Sequence, residues 1–452
     1  MNPIVILIIG VTLLIAMIIV LRVNAFVALI TAAIIISLLA PGDFADKVSR
    51  VAEAFGSVVG AIGIVIALAT VIGKCLMDSG AADRIVRSFL KAMGEKRAST
   101  ALMASGFVLS VPVFFDTVFY LLVPLARSLY RRTQKNYVLY LTAIVAGAGI
   151  THTLVPPTPG PLFMADRFGI DLGVMMGMGI LVGLPTAALG LLVCKLINRF
   201  VDIPMRPYTS EAEPEPLDDD QLPGFWTSIA PIILPVILIS MNTVTKALDV
   251  GGPVAQITAV LGNPNLALLL SAAIAMFVLV RSRGLSLKEL SGKMDTALMS
   301  GGIIILITAG GGAFGAMLRA AGVQDVVKGF VDTDTGGQGL GLAILLLAFA
   351  VSSIIKFSQG SGTVAMITTA SMFAAMGISE EMLGCNLVYL AMAIGGGSLV
   401  GDWMNNSGFW IFARMGGLTE IETLKSWTIL TAALGLITLA FTLLFASILP
   451  LV

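Results

Sequence analysis

Ten apolar runs dominate the chain, at residues 3–21, 24–40, 55–76, 136–160, 172–198, 226–247, 254–280, 298–318, 386–412 and 426–450. A helix needs roughly 20 apolar residues to cross a hydrocarbon core of about 30 Å. Lipid offers no hydrogen bonds, so the backbone of each crossing has to bond within its own helix. The pattern therefore points to an all-α polytopic membrane protein with about ten crossings. With 57% hydrophobic and 12% charged residues, the chain lacks the polar surface of a soluble fold. Lysine plus arginine equals aspartate plus glutamate at 27 each, so bulk charge suggests no nucleic-acid partner. One histidine and the scattered cysteines Cys75, Cys194 and Cys385 provide neither a metal-ligand nor a disulfide spacing, and no cofactor is expected. Residues 3–21 have no basic leader and no small-residue cleavage site; they read as a first crossing rather than a removed signal.

Two further apolar stretches, 99–126 and 340–376, are each interrupted near the middle. Their flanks, 340–355 for example, are too short to cross, so both read as re-entrant hairpins that enter and leave on one side. The second tip is Lys356-Phe357-Ser358-Gln359-Gly360-Ser361-Gly362-Thr363. Its glycines permit a sharp turn. Ser361 and Thr363 suit the cap of the returning half-helix, whose free N–H groups attract anions. Lys356 puts a full charge at membrane depth; it binds a carboxylate, pairs with Asp116 or Asp402, or snorkels to water. The first tip is Pro112-Val113-Phe114-Phe115-Asp116-Thr117. Pro112 breaks the helix, and Asp116 reads either as a proton- or ion-coupling group or as the N-cap of a helix over 117–126.

The chain also repeats itself. Gly73-x-x-Leu76-x-x-x-Gly80-x-x-Asp83 recurs as Gly315-x-x-Leu318-x-x-x-Gly322-x-x-Asp325, and at the same offset Phe115 falls on Phe357. A helix break follows each hairpin. One runs from Gly147 through Thr151 and His152 into Pro156-Pro157-Thr158-Pro159-Gly160-Pro161. The other runs from Gly395 through Ser398 and Asp402 to Asn405, Asn406, Ser407 and Gly408. His152 reads as a group titrating near neutral pH or as a satisfied structural donor. Asp402, Asn405 and Asn406 would hold a polyol or a small cation, or simply tie the unwound halves together. Five crossings per copy imply two inverted repeats, 1–201 and 225–452. The acidic, Pro-rich connector 202–224 between them is expected to be flexible and solvated. Inverted repeats with paired broken helices mark a secondary transporter with a midplane site. Lysine and arginine divide about 20 to about 6 between the two sides, which makes the connector side cytoplasmic and puts both termini outside. The glycine-rich segments 309–312 and 395–397 read as close helix packing rather than phosphate loops, and Met175, Met176 and Met178 as packing or lipid contact.

At these residues the chain resembles the gluconate permease family of the ion-transporter superfamily. The resemblance lies in Phe115-Asp116-Thr117-Val118-Phe119, in Thr151-His152 with Pro156-Pro157-x-Pro159-Gly160-Pro161, in Gly360-Ser361-x-Thr363-Val364-Ala365 and in Gly408-Phe409-Trp410. It extends over nearly the whole chain. It implies uptake of a small hydroxy-acid such as gluconate, or D-serine or glycerate in some relatives, coupled to protons. It further implies scaffold and transport subdomains moving in an elevator fashion, in a homodimer of the bacterial inner membrane. Gluconate-type members often carry Glu where Asp116 stands and Arg where Lys356 stands; lysine lacks arginine's bidentate fork.

The expectation is a proton symporter for a small carboxylate, not an enzyme. Lys356 and the helix terminus at Ser361, Gly362 and Thr363 would hold the carboxylate. Thr151, Gln359, Asn405 and Asn406 would read hydroxyls, with Thr117 completing the substrate set. Asp116, with His152 and Asp402, would couple the proton. Sodium coupling through carbonyls and hydroxyls at the breaks is the alternative within transport. A membrane-embedded enzyme using Asp116 and His152 as acid and base is the alternative of another class, and the two-sided repeat argues against it.

Overall fold

The computed structural model describes residues 2–21, 23–201, 203–206, 218–323, 339–404 and 406–451, and all regular elements among them are helices. Helix α1 (Pro3–Ile15) continues through a π-helical turn, Ala16–Val20, and packs on α2 (Ala25–Leu39). Next come α3 (Ser49–Ser79) and the amphipathic α4 (Ala81–Met93). A hairpin of α5 (Ala98–Leu109) and α6 (Phe115–Thr133) follows, then α7 (Tyr137–Leu154), α8 (Pro159–Phe168) and α9 (Leu172–Phe200). The second half holds α10 (Phe225–Ala247), α11 (Gly252–Leu261), α12 (Pro264–Arg283) and α13 (Leu287–Ala320). A second hairpin, α14 (Gly339–Gln359) and α15 (Gly362–Ala375), leads to the short α16 (Glu380–Leu383), α17 (Val388–Gly397) and α18 (Ser407–Gly416). Finally α19 (Glu420–Thr423) runs through a π-helical turn, Leu424–Thr428, into α20 (Ile429–Ile448).

Seven of these units are long and apolar enough to cross a membrane: α3, α7–α8, α9, α10, α12, α13 and α19–α20. The chain is an all-α polytopic membrane protein, with fewer full-length crossings than the ten expected. Runs 3–21 and 24–40 form short helices; the 15 residues of α2 reach only about 22 Å. Run 386–412 is split by its own break into two helices of 10 residues. Run 254–280 loses its first part to α11, because Pro264 opens a new helix capped by Asn263, whose Oδ1 accepts from the Asn265 amide at 3.0 Å.

Both interrupted stretches turn back on themselves, and the arms of each hairpin pack together. The second turns at Gly360, whose φ of 84° lies in the left-handed region that glycine enters without strain. Its outgoing arm runs on past the expected end at 355. Lys356 therefore sits in the last turn of α14, where free carbonyls favour a cation. Serine hydroxyls fasten this arm to α17: Ser352 donates to the Ile394 carbonyl at 2.8 Å and Ser353 to that of Gly397 at 3.1 Å. The glycine-rich segments are packing surfaces. A Cβ on Gly311 would lie 2.1 Å from Ile367 of α15, and one on Gly397 would lie 2.3 Å from the Phe349 carbonyl of α14. Met175, Met176 and Met178 are buried, as are the three cysteines.

The order of long helix, hairpin, broken helix and long helix occurs twice, as α3, α5–α6, α7–α8, α9 and as α13, α14–α15, α17–α18, α19–α20. Gly80 and Gly322, matched in the sequence repeat, both have left-handed φ, 79° and 82°; Asp325 lies outside the described residues. The described ends of connector 202–224 are tied to neighbouring helices, although residues 218–221 stay exposed. Arg84 of α4 donates to the carbonyls of Asp219 at 2.6 Å and Pro223 at 2.7 Å. Arg87 bonds the Asp219 carboxylate at 2.5 Å and holds it below the usual carboxylate range. Arg206 makes two bonds to Glu422, at 2.6 and 2.7 Å. Carbonyls outside regular structure need donors, and arginines on neighbouring helices supply them.

Candidate functional site

A cavity of about 490 Å³ lies where the two hairpin tips meet the two helix breaks. The first turns of four helices reach it: α6 through Phe115, Asp116 and Thr117, α8 through Pro159, α15 through Gly362 and Thr363, and α18 through Ser407 and Gly408. Two of these termini are capped by side chains. Ser361 Oγ accepts from the Val364 amide at 3.3 Å, and Asn406 Oδ1 from the Gly408 amide at 3.0 Å. Those of α6 and α8 have no side-chain cap; the first N–H groups of α6 need other acceptors, whereas Pro159 and Pro161 leave only that of Gly160 free in the first turn of α8. Converging helix N-termini favour negative charge through both free donors and dipoles.

The second hairpin and second break form one bonded unit. Lys356 Nζ lies 3.0 Å from Asp402 Oδ2 and also donates to the Gly360 carbonyl. Asn406 Nδ2 donates to both Asp402 oxygens, at 2.7 and 2.8 Å. The Trp403 indole N–H donates to the Phe357 carbonyl at 2.8 Å, and the two rings stack at 5.5 Å. Gly401 (φ 82°) lies under this contact; a Cβ there would sit 2.8 Å from Phe357 Cβ. Of the partners open to Lys356 in the sequence, the structure selects Asp402.

The first half is different. Asp116 is the second residue of α6, whose N-cap is Phe114 and which has no side-chain cap bond. The expected N-cap role is therefore corrected: the helix starts earlier, and the carboxylate projects from its first turn into the cavity. Among the described residues nothing hydrogen-bonds it or pairs with it. His152 also lines the cavity, edge-on to Phe114 with ring centroids 6.0 Å apart, and its buried Nδ1 has no partner. Its reading as a satisfied structural donor does not hold for that nitrogen.

Of the remaining expected residues, Thr117, Ser361, Gly362, Thr363, Asp402 and Asn406 line the cavity. Thr151 does not; its hydroxyl is buried and unpartnered in α7, and Thr153 faces the cavity instead. The Gln359 side chain and Asn405 lie outside the described residues. Several lining residues were not foreseen. Ser398 and Ser407 flank the second break, so their neighbourhood was a signal. Ser300, Ile304 and Ile307 come from the middle of α13, and Trp427 and Thr431 from the last crossing; a polar or aromatic residue inside an apolar run gives no sign of which way it faces. Among the described residues no cluster of histidine, cysteine and carboxylate side chains could hold a metal.

A family model described as GntP family permease matches residues 2–448. A gluconate permease of Pseudomonas aeruginosa is 33% identical, over 95% of this chain and 94% of its own. The inner membrane permease YgbN of Escherichia coli is 32% identical, over 94% of each chain. The Gnt-II system L-idonate transporter of Escherichia coli is 29% identical, over 96% of this chain and 97% of its own. The similarity thus spans nearly the whole length of each relative and, in this chain, takes in both hairpins and both breaks. Among solved structures, the YdaH transporter of Alcanivorax borkumensis matches with a TM-score of 0.64 at 14% identity, over 94% of this chain and 98% of that one. That likeness is one of fold alone.

Proposed function

This chain belongs to the GntP family of permeases, and from that premise we propose that it is a secondary active transporter importing a small hydroxy-carboxylate together with a proton. The observation that carries this is the convergence of four helix N-termini and one buried ammonium on a single cavity. Its volume of about 490 Å³ is typical of small-molecule sites. The substrate carboxylate meets Lys356 and the α15 terminus, and its hydroxyls meet Thr117, Asn406 and the serines of the second break. The gluconate and L-idonate named for the relatives set the chemical class: a polyhydroxylated acid.

Charge balance supports proton coupling. Asp116, Asp402 and Lys356, all ionised, give the cavity one net negative charge. One substrate anion plus one proton leaves that charge unchanged, so the loaded and empty sites move the same charge through low dielectric. An anion alone would add a second, at a cost of several kcal/mol. Asp116 is the natural acceptor, because protonating it breaks no bond, whereas protonating Asp402 undoes the pair with Lys356.

In this reading 1–201 and 225–452 are inverted repeats, 202–224 is the cytoplasmic connector, and the hairpins are re-entrant. The doubled order of elements supports it. The hairpins and broken helices form the moving part of an elevator, sliding along α13, which contributes Ser300, Ile304 and Ile307 to the cavity wall. The protein works as a homodimer in the bacterial inner membrane with both termini periplasmic.

A thermal-shift screen of sugar acids, glycerate, D-serine and dicarboxylates ranks the ligands. Proteoliposomes should then concentrate unaltered labelled gluconate when the outside is made acidic, with choline in place of sodium. Accumulation that requires sodium overturns proton coupling, and failure to accumulate any hydroxy-carboxylate overturns the function.

A further inference from the structure

Lys356 is 2% exposed and Asp402 4%. An unpaired ammonium so deeply enclosed is strongly unfavourable, so some anion must neutralise Lys356 at every stage of a transport cycle. Here the neutralising group belongs to the chain itself. Asp402 bridges the second break to the second hairpin tip, at 3.0 Å from the Lys356 nitrogen, and both side chains face the cavity. Asp402 does not depend on Lys356 alone. Asn406 donates to both its oxygens and is itself fixed as the N-cap of α18. If the ammonium is drawn away, the carboxylate keeps a partner. The other titratable groups facing the cavity, Asp116 on α6 and His152 on α7, make no bond to either member of the pair.

We infer that Asp402 is a surrogate anion. It occupies Lys356 in the empty carrier and yields the ammonium to the carboxylate of an incoming substrate. The role rests on the transport function proposed above and adds the unloaded half of the cycle to it. Because Lys356 is never left bare, the empty carrier can return across the membrane. Because the incoming carboxylate has to displace Asp402, affinity is held down and release on the far side is eased. A carboxylate that instead gripped substrate hydroxyls would have the opposite signature, since its removal would weaken binding.

The test compares wild type with Asp402→Asn in proteoliposomes, with labelled D-gluconate as the probe. The variant should bind gluconate about tenfold more tightly, since the competitor is gone. Gluconate–gluconate exchange should persist, because both directions run loaded. Net uptake into empty vesicles should fall by at least about tenfold, because the empty carrier must now move a bare ammonium. A double variant, Lys356→Met with Asp402→Asn, has no charge to neutralise; it should fold and lose gluconate binding. Weaker or unchanged binding by Asp402→Asn, or a parallel loss of exchange and net uptake, overturns the surrogate role. Infrared difference spectra cover the case in which that variant does not fold. In carbon-13 aspartate-labelled Asp116→Asn protein, gluconate should shift an ionised carboxylate band, and an unshifted spectrum overturns the role. A wild type that neither binds nor exchanges gluconate or any other hydroxy-carboxylate overturns instead the transport function beneath it.

Discussion

At the second hairpin and break, Lys356, Asp402, Asn406 and the Gly360 carbonyl satisfy one another, and Trp403 pins Phe357. At the first, the Asp116 carboxylate, His152 Nδ1 and Thr151 Oγ1 have no partner among the described residues. The same order of elements thus yields two chemically opposite half-sites. A satisfied network fixes geometry, because every bond it holds must be exchanged before it can move. Of the unpaired groups, the buried His152 Nδ1 and Thr151 Oγ1 stand at a cost of about 1–3 kcal/mol each, which a ligand hydroxyl or a water can relieve, while the half-buried Asp116 is open to a proton. Under the function proposed above, recognition of fixed charge falls to the second half and proton uptake to the first.

The assignment is broken most severely at Lys356. Lys356→Ala leaves Asp402 buried without its cation and should destabilise the protein by about 3–5 kcal/mol, measured by unfolding in detergent, with gluconate binding lost. Intact affinity would remove the ammonium from carboxylate recognition. Asn406→Ala comes next. It removes the α18 cap and both Asp402 bonds, for a loss of about 2–3 kcal/mol by the same unfolding measurement. A loss below half a unit would mean the second half is less tightly tied than its bonds indicate.

On the first side, the effects should fall on function and spare stability. Asp116→Asn loses no bond, so its stability should stay within about 0.5 kcal/mol of wild type. Wild-type uptake should rise as external pH falls; the variant should show a flat pH profile and no accumulation, while exchange continues. A variant that still concentrates gluconate up a proton gradient would move the proton elsewhere. The smallest effect is expected at His152. Phenylalanine there keeps the edge contact with Phe114 and forfeits a single hydrogen bond to ligand, so His152→Phe should weaken gluconate affinity by about tenfold at most, read by titration.

Much of this was legible because it is local chemistry. Four prolines between 156 and 161 cannot continue a helix, and the chain breaks between α7 and α8. Gly360 and Ser361 are a turn and a cap by residue type, and they are used so. The crossing count was less legible, because an apolar run has no internal mark of length: the short α1 and α2 and the break that splits run 386–412 cut the expected ten to seven. The N-cap reading of Asp116 failed by two residues, since α6 begins at Phe115 without any capping side chain.

The sequence by itself determined that this chain lives in a bilayer, that it breaks its helices in matched places, and that charge is stationed beside those breaks. Each follows from hydropathy, from proline and glycine backbone chemistry, and from the cost of a charge in lipid, all of which act over a few neighbouring residues. Only the tertiary structure decided that Lys356 spends its charge on Asp402 while Asp116 has no partner among the described residues, and that α13 and Trp427 help wall the cavity. Those choices depend on which helices pack side by side, and a choice among partners tens of residues apart leaves no trace in local composition.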